Sequence, residues 1–175
     1  NDNILTIYED RGGILWFGTL GSGLNKYNSQ QRNFTYYRRE EGNPNSLSSN
    51  VIFPIYADND GMIWIGAEGG GIDRLDPALG EFTHYQHDSK NPGSLPSNDI
   101  RAIYVDHFGT LWVGSSEGLS RLYLGSDQFA HYSPEEDTTN SLISKNVYTI
   151  YEDRLHHLWI GTNKGVDQFN PVTET

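Results

Sequence analysis

The sequence contains no cysteine, and this absence excludes disulfide bonds, thiolate metal sites and cysteine nucleophiles together. Basic residues are also scarce, since 12 lysines and arginines stand against 23 aspartates and glutamates, for a formal net charge of −11. Such a charge repels a phosphate backbone, and no basic amphipathic stretch is present to bind an anionic membrane. Nucleic acid is therefore not an expected partner, and the missing cysteines leave the cellular compartment open.

Long apolar runs are missing as well. No stretch approaches the ~18 residues that a membrane-spanning helix requires. The opening "NDNILTIYED" lacks the basic and apolar regions of a signal peptide and begins directly with strand-like sequence. We therefore expect a piece of a longer protein, whose membrane contact lies only in downstream segments that this sequence does not contain.

Helical periodicity is the third absence, because no stretch places apolar residues at three- and four-residue spacing over ten or more positions. Turn-forming residues are abundant instead, with 19 glycines and 7 prolines, and 13% of the residues are aromatic. This composition is typical of a protein with many short strands joined by tight turns.

One segment occurs four times. "IYEDRGGILWFGT" begins at Ile7 and returns as "IYADNDGMIWIGA", "IYVDHFGTLWVGS" and "IYEDRLHHLWIGT". The four tryptophans of these segments are 48, 48 and 47 residues apart, an interval typical of repeat architectures. We divide the chain into one propeller segment, 1–175, with repeats 1–47, 48–95, 96–143 and 144–175.

Each complete repeat contains four strand-like runs, which in the third repeat are "DIRAIYV", "TLWVGSS", "LSRLYL" and "FAHYS". Four-stranded units of forty to fifty residues are the blades of a β-propeller. The fourth repeat ends before its last run. The predicted fold is therefore all-β, a propeller segment of four tandem four-stranded blades, of which the last lacks its outer strand.

Three positions of the repeat are predicted to be structural. The tryptophan fills the gap between neighbouring blades, the glycine two residues later lets backbones approach, and the aspartate forms a hairpin turn with a following glycine. In the fourth repeat His156 replaces that turn glycine. The structural positions are Trp16, Trp64, Trp112 and Trp159; Gly18, Gly66, Gly114 and Gly161; and Asp10, Asp58, Asp106 and Asp153.

The ordered combination I-Y-x-D-x-x-G-x-[IL]-W-[IVF]-G-[TSA], Gly-aliphatic, F-x-x-Y and N-P-x-S-L-x-S-N resembles the two-component regulator propeller repeat. The resemblance implies a periplasmic or extracytoplasmic sensor region of a bacterial hybrid histidine kinase, a class that commonly responds to oligosaccharides. It also implies a following β-sandwich domain, membrane span and kinase. None of these is in the sequence, so signalling chemistry is expected outside it.

Candidate ligand-binding residues are those at which the repeats differ, because the repeated positions serve folding. One variable position lies in the first strand, and a second follows the tryptophan strand. Both are expected to emerge on the same face near the propeller axis, where aromatic, guanidinium and carboxylate groups suit a sugar. Unconstrained surface positions are the alternative. The candidates are Phe53, Arg101, Tyr148, Glu68, Glu117, Asn163 and Lys164.

No catalytic residue, metal site or cofactor is predicted. The repeated aspartates belong to one kind of turn, and no asymmetric carboxylate pair suited to glycoside hydrolysis is evident. His84 and His131 share one repeat position, which indicates a structural role. The adjacent His156 and His157 lack a visible third ligand and are expected to be solvated turn residues. A propeller lyase or hydrolase is therefore the least favoured function.

An interaction scaffold is the alternative from another class, in which the blades bind a protein partner or a second copy. Blade faces left uncovered at the two ends of the segment would seek partners, such as further propeller blades. Two copies are expected to be able to close an eight-bladed ring. A small-molecule sensor would show a ligand-dependent melting shift, whereas a scaffold would change mass with its partner.

Overall fold

The computed structural model describes residues 3–122, 127–134 and 141–173. These residues form strands, turns and loops, and no described segment is a helix of the length and apolar character needed to cross a bilayer. The expected end of the third strand in the third repeat, Tyr123 and Leu124, lies outside the described residues. The same is true of Thr139 and Asn140 in the loop before the fourth repeat.

The strands form four antiparallel sheets, each hydrogen-bonded in chain order, and each sheet is one blade. Blade 1 contains β1 (Ile4–Glu9), β2 (Ile14–Thr19), β3 (Leu24–Asn28) and β4 (Asn33–Tyr37). Blade 2 contains β5 (Ile52–Ala57), β6 (Ile63–Ala67), β7 (Gly71–Asp76) and β8 (Glu81–Tyr85). Blade 3 contains β9 (Ile100–Val105), β10 (Leu111–Ser115), β11 (Gly118–Leu122) and β12 (Phe129–Tyr132). Blade 4 contains β13 (Val147–Glu152), β14 (Leu158–Thr162) and β15 (Gly165–Phe169). The predicted fold class is confirmed.

The hydrophobic core is divided into three clusters, and each cluster lies between two neighbouring blades. The first strands of successive blades contact one another, β1 with β5, β5 with β9 and β9 with β13, so they are the innermost strands. Trp16 packs against blade 2, Trp64 against blade 3 and Trp112 against blade 4. Because every cluster needs residues of two repeats, a single blade cannot bury its own tryptophan.

The hairpin turn between the first two strands of each blade is organised by its aspartate. In blade 3, Asp106 Oδ1 accepts hydrogen bonds from the N–H groups of Phe108 (3.0 Å) and Thr110 (2.8 Å). Asp106 Oδ2 accepts a third hydrogen bond from the indole N–H of Trp112 at 2.8 Å. The same three interactions occur in the other blades. The turn and the tryptophan are therefore positioned by one carboxylate.

The turn of blade 4 keeps this geometry although a histidine stands where the other blades have glycine. His156 has a φ of 65°, close to the 83° of Gly109, and it lies in the left-handed region that is costly for most side chains. The substitution therefore alters the local strain without altering the shape of the turn.

In blades 1 to 3, the glycine two residues after the tryptophan lies against the innermost strand of the next blade. A Cβ built on Gly114 would lie 2.5 Å from Val147 Cγ1, and one built on Gly66 would lie 2.7 Å from Ile100 Cγ2. A Cβ on Gly18 would similarly lie 2.9 Å from the Ile52 carbonyl oxygen. Any larger residue at these positions would push neighbouring blades apart.

The outward faces of the first and last blades are open. Ile7 of β1 is 61% exposed, whereas Ile55 at the same position of blade 2 is 7% exposed and packs on blade 1. Trp159 is 39% exposed, whereas Trp112 is fully buried against blade 4. In the described residues, the first and last blades thus expose side chains whose counterparts in the other blades are buried against a neighbouring blade.

Candidate ligand-binding site

Each innermost strand contains one extra residue relative to its partner strand. In β9, Ile100 pairs with Ser115 and Ala102 with Gly114, so Arg101 is the bulged residue between them. The same interruption of register occurs in the other three innermost strands. Since a β-bulge bends the strand and redirects a side chain, it takes this position out of the regular inward and outward alternation. The residues at the bulges are Leu5, Phe53 together with Pro54, Arg101 and Tyr148.

Three of these bulged residues line one cavity of about 370 Å³ on blades 2 to 4. We call it the axial cavity, and its lining residues are Phe53, Glu68, Asp99, Ile100, Arg101 and Tyr148. Its volume falls within the ~300–1,000 Å³ of small-molecule pockets. The structure therefore brings together four of the seven residues predicted from the differences between the repeats.

Arg101 is held at the cavity wall by two contacts with blade 4. Its Nη1 donates a hydrogen bond to Asn146 Oδ1 at 3.0 Å, and its guanidinium carbon lies 4.8 Å from the centroid of the Tyr148 ring. Among the described residues it forms no ion pair. Because a guanidinium carries five N–H donors in one plane, most of its donors remain for another acceptor.

Two carboxylates give the axial cavity acceptor groups beside this cation. Asp99 Oδ1 accepts a hydrogen bond from the N–H of Gly69 at 3.0 Å, which ties the loop before blade 3 to the turn of blade 2. The N–H of Glu68 donates to the Val51 carbonyl at 3.0 Å, so the backbone of this residue is fixed. The cavity therefore combines aromatic faces, donors and acceptors, which together can bind a polyhydroxylated ring.

The remaining predicted residues do not line the axial cavity. Glu117 forms an ion pair with Lys145 of the next loop, with 3.0 Å between Nζ and Oε2. Asn163 Oδ1 accepts a hydrogen bond from the Ser144 hydroxyl at 2.6 Å. Lys164 is exposed in a turn, where its N–H donates to Thr162 Oγ1 at 3.2 Å. Glu117 thus connects its turn to the following loop, whereas Asn163 connects its turn to the loop that precedes its own blade.

Asp99 and Ile100 line the cavity although they were not singled out from the sequence. The position of Asp99 carries Val51 in the preceding repeat and Asn146 in the following one, so its variability was a usable signal. Ile100 gave no such signal, because its counterparts Ile52 and Val147 are also aliphatic and buried.

Comparison with known proteins places these features in a family. The sequence profile described as "two component regulator propeller" matches residues 1–21, 46–69, 94–117 and 141–164. Each matched segment contains the innermost strand and the tryptophan strand of one blade. No curated protein sequence matches the chain.

Several solved structures share this fold. An extracellular domain attributed to a hybrid two-component system of B. thetaiotaomicron is 31% identical, with a TM-score of 0.83 over 98% of this chain and 23% of that one. An extracellular domain attributed to a one-component system of the same organism is 21% identical, with a TM-score of 0.77 over 96% of this chain and 21% of that one. Virginiamycin B lyase from Staphylococcus aureus is 15% identical, with a TM-score of 0.66 over 95% of this chain and 55% of the enzyme. The last two likenesses show the fold alone, and the chain spans only about a quarter of the first.

Proposed function

Because the chain belongs to the two component regulator propeller family, we propose that it is a ligand-sensing segment in the extracytoplasmic region of a bacterial hybrid two-component signalling protein. The observation that carries the proposal is the axial cavity, which is lined by the exchangeable residues of three consecutive blades. Recognition is the role of this segment, and the histidine kinase belongs to another part of the parent protein. The periplasmic face of the inner membrane is the proposed location.

The proposed ligand is an oligosaccharide or another small polar molecule. Phe53 and Tyr148 offer aromatic faces for a sugar ring, and Arg101 offers donors for ring or hydroxyl oxygens. Glu68 and Asp99 offer acceptors for hydroxyl protons. Among the described residues, the lining contains no histidine, cysteine or lysine, and its groups suit binding by stacking and hydrogen bonds rather than covalent chemistry.

Ligand-dependent melting of the chain against a panel of oligosaccharides tests this proposal. A binding glycan raises the melting temperature, and the rise grows with concentration according to its dissociation constant. Arg101→Ala and Phe53→Ala should each abolish most of the shift. Arg39→Ala and Tyr36→Ala, which remove exposed side chains of the same types in blade 1 and its following loop, should leave it unchanged.

Two results would contradict the sensor proposal. One is the absence of any shift with the whole panel in the folded chain. The other is a shift that survives both substitutions in the axial cavity, since binding would then occur elsewhere.

Self-association is a second candidate function, and the open faces of blades 1 and 4 favour it. Ile7 and Trp159 expose surfaces whose counterparts at the internal junctions pack against another blade. The surface that fits them is therefore a blade of the same repeat, provided by a second copy of this chain or by further blades of the parent protein.

A further inference from the structure

Three side chains that can ligate metals meet at the junction between blades 3 and 4. His107 follows the turn aspartate of blade 3, Glu152 ends the innermost strand of blade 4, and His156 lies in the turn of blade 4. One ligand atom from each lies within 4.8 Å of the other two. The sequence offered no third ligand for His156 because His107 belongs to a different repeat, almost fifty residues away.

Glu152 is the fixed member of this cluster. Its side chain is only 7% exposed, and its Oε2 accepts hydrogen bonds from the His107 N–H at 3.0 Å and the Tyr104 hydroxyl at 3.4 Å. Its Oε1 faces the Nδ1 atoms of both histidines, contacting His107 and lying 3.3 Å from His156. A carboxylate oriented in this way by neighbouring donors is the arrangement in which metal-ligating carboxylates are found.

At the other two junctions, the positions that correspond to His107, Glu152 and His156 do not carry a set of potential metal ligands. At the junction of blades 1 and 2 the three positions are Arg11, Ala57 and Gly61, and at the next they are Asn59, Val105 and Gly109. All three positions thus carry ligand types at one junction only. One of the changes has no evident benefit for folding, since a histidine at a φ of 65° is strained.

We propose that the His107–Glu152–His156 cluster binds a divalent transition-metal ion of the zinc type and thereby links blade 3 to blade 4. Two imidazoles and one carboxylate are a ligand set of Zn²⁺, with a fourth position left for water. Ligand atoms around a tetrahedral zinc lie about 3.3 Å apart, so ligand atoms now up to 4.8 Å apart must approach each other on binding. Hard cations such as Ca²⁺ and Mg²⁺ prefer oxygen ligands and should bind weakly.

Binding requires the two imidazoles to rotate. Their rings are stacked, with centroids 3.6 Å apart and planes 24° from parallel, whereas a metal bond lies near the plane of each ring. The side chain of His156 is 53% exposed, so its rotation displaces solvent rather than packed residues. His156 can therefore turn towards an ion by side-chain movement alone.

The junction between blades 2 and 3 indicates which substitutions to test, because its residues occupy the corresponding positions of the repeat. His107→Asn and His156→Gly introduce the residues of the junction between blades 2 and 3 and remove one ligand each. His156→Gly also relieves the left-handed strain, so the metal-free variant should melt no lower than the original chain. His157→Thr, which introduces the residue of blade 3, removes an imidazole next to the cluster and serves as the control.

The experiment follows thermal unfolding of the chelator-treated chain with added ZnCl₂, CaCl₂ or MgCl₂. We expect about 5 °C or more of stabilisation when Zn²⁺ exceeds its dissociation constant by about 100-fold, with little effect of Ca²⁺ or Mg²⁺. The shift should persist in His157→Thr and disappear in His107→Asn and in His156→Gly. Calorimetric titration should give one Zn²⁺ per chain.

Three results would overturn the proposal. They are the absence of a Zn²⁺ shift in the original chain, a shift that persists in both ligand variants, and a stoichiometry of one ion per two chains. The last would mean that exposed histidines bridge two molecules instead of closing one site.

Discussion

At the scale of single residues, the turn aspartate accepts the same three hydrogen bonds in each of the four blades. Asp106 accepts two backbone N–H groups and one indole N–H, and all three donors belong to its own blade. The carboxylate is buried, so these donors replace the water that would otherwise solvate its charge. Burial of the tryptophan against the next blade therefore depends on a carboxylate whose three hydrogen-bond donors all lie in its own blade.

Asp106→Ala should lower the free energy of unfolding by about 3 kcal/mol, because a buried indole N–H and two turn N–H groups lose their acceptor. Asp153→Ala should cost clearly less, since Trp159 is partly exposed and water can accept its N–H. Urea unfolding of the two variants, in the presence of chelator, measures both values. Equal losses would show that the indole hydrogen bond contributes little.

A second prediction concerns His84, whose two ring nitrogens both face acceptors. Its Nδ1 lies 2.7 Å from Asp73 Oδ1 and its Nε2 lies 2.7 Å from the Pro44 carbonyl, an arrangement that favours the doubly protonated ring. The hydrogen bond to Asp73 raises the pKa of His84 above its ordinary value of 6.5. Because the folded-state pKa is the higher one, the stabilisation is fully present below pH 6.5 and is lost as the pH rises through the folded-state pKa.

His84→Gln should therefore destabilise the chain more at about pH 5.5 than at about pH 9. The difference should not exceed about 1 kcal/mol, because the histidine is partly exposed and solvent screens its charge. The matched control is His131→Gln, since His131 faces the Ser120 hydroxyl at 3.0 Å instead of a carboxylate. Chemical unfolding at the two pH values tests this, and an equal pH dependence in both variants would contradict it.

At the scale of strands, each innermost strand has a regular part and a bulge, and the two parts have different structural roles. Its regular part pairs with the tryptophan strand and packs between blades, while its bulge places one side chain out of the ladder. The glycine opposite the bulge, such as Gly114, leaves room for the next innermost strand. The axial cavity therefore lies where neighbouring innermost strands approach each other closely.

Gly114→Ala should destabilise the chain by about 2 kcal/mol, because its Cβ would meet Val147 of the next blade. Gly161→Ala is the matched control, since its Cβ would approach only the Thr149 methyl within its own blade. We expect it to cost at least about 1 kcal/mol less. Thermal or urea unfolding measures the pair, and a larger loss for Gly161→Ala would contradict tight packing between blades.

The repeated features of these strands could be predicted from the sequence because four copies reveal which positions the backbone requires. The position of Arg101 could likewise be identified, since structural positions recur and this one does not. The bulge that exposes Arg101 could not be predicted, because an extra residue present in every repeat leaves the spacing unchanged. The contact between His107 and Glu152 could not be predicted from the sequence either, since the two residues belong to different repeats. Each residue alone is an ordinary substitution, His107 in a turn and Glu152 at the end of a strand.

At the scale of the whole molecule, the blades follow one another in a row that leaves both end faces open. The stability of this arrangement comes from the hydrophobic contacts between each pair of neighbouring blades. Each of the three core clusters joins two neighbouring blades. The two end faces resemble the two sides of such a junction, since Ile7 corresponds to the residue covered by a preceding blade and Trp159 to the one covered by a following blade. One copy of the chain can therefore cover the end face of another.

Light scattering of the 19.7 kDa chain on a sizing column should show a mass that rises towards twice this value with concentration. The double variant Ile7→Ser, Trp159→Ser should stay monomeric, because it removes the exposed apolar groups of both end faces. Leu79→Ser, which removes an exposed leucine from a turn of blade 2, should behave as the original chain. A monomer at every concentration would exclude pairing of the end faces.

The bulge in each innermost strand also has an evolutionary consequence. A side chain outside the ladder can change without a compensating mutation in the sheet, and Leu5, Phe53, Arg101 and Tyr148 are four different chemistries on one backbone. Under the proposed function, selection on ligand binding and selection on folding act on separate codons. Specificity can diverge one blade at a time, and duplication of a blade adds one further exchangeable position.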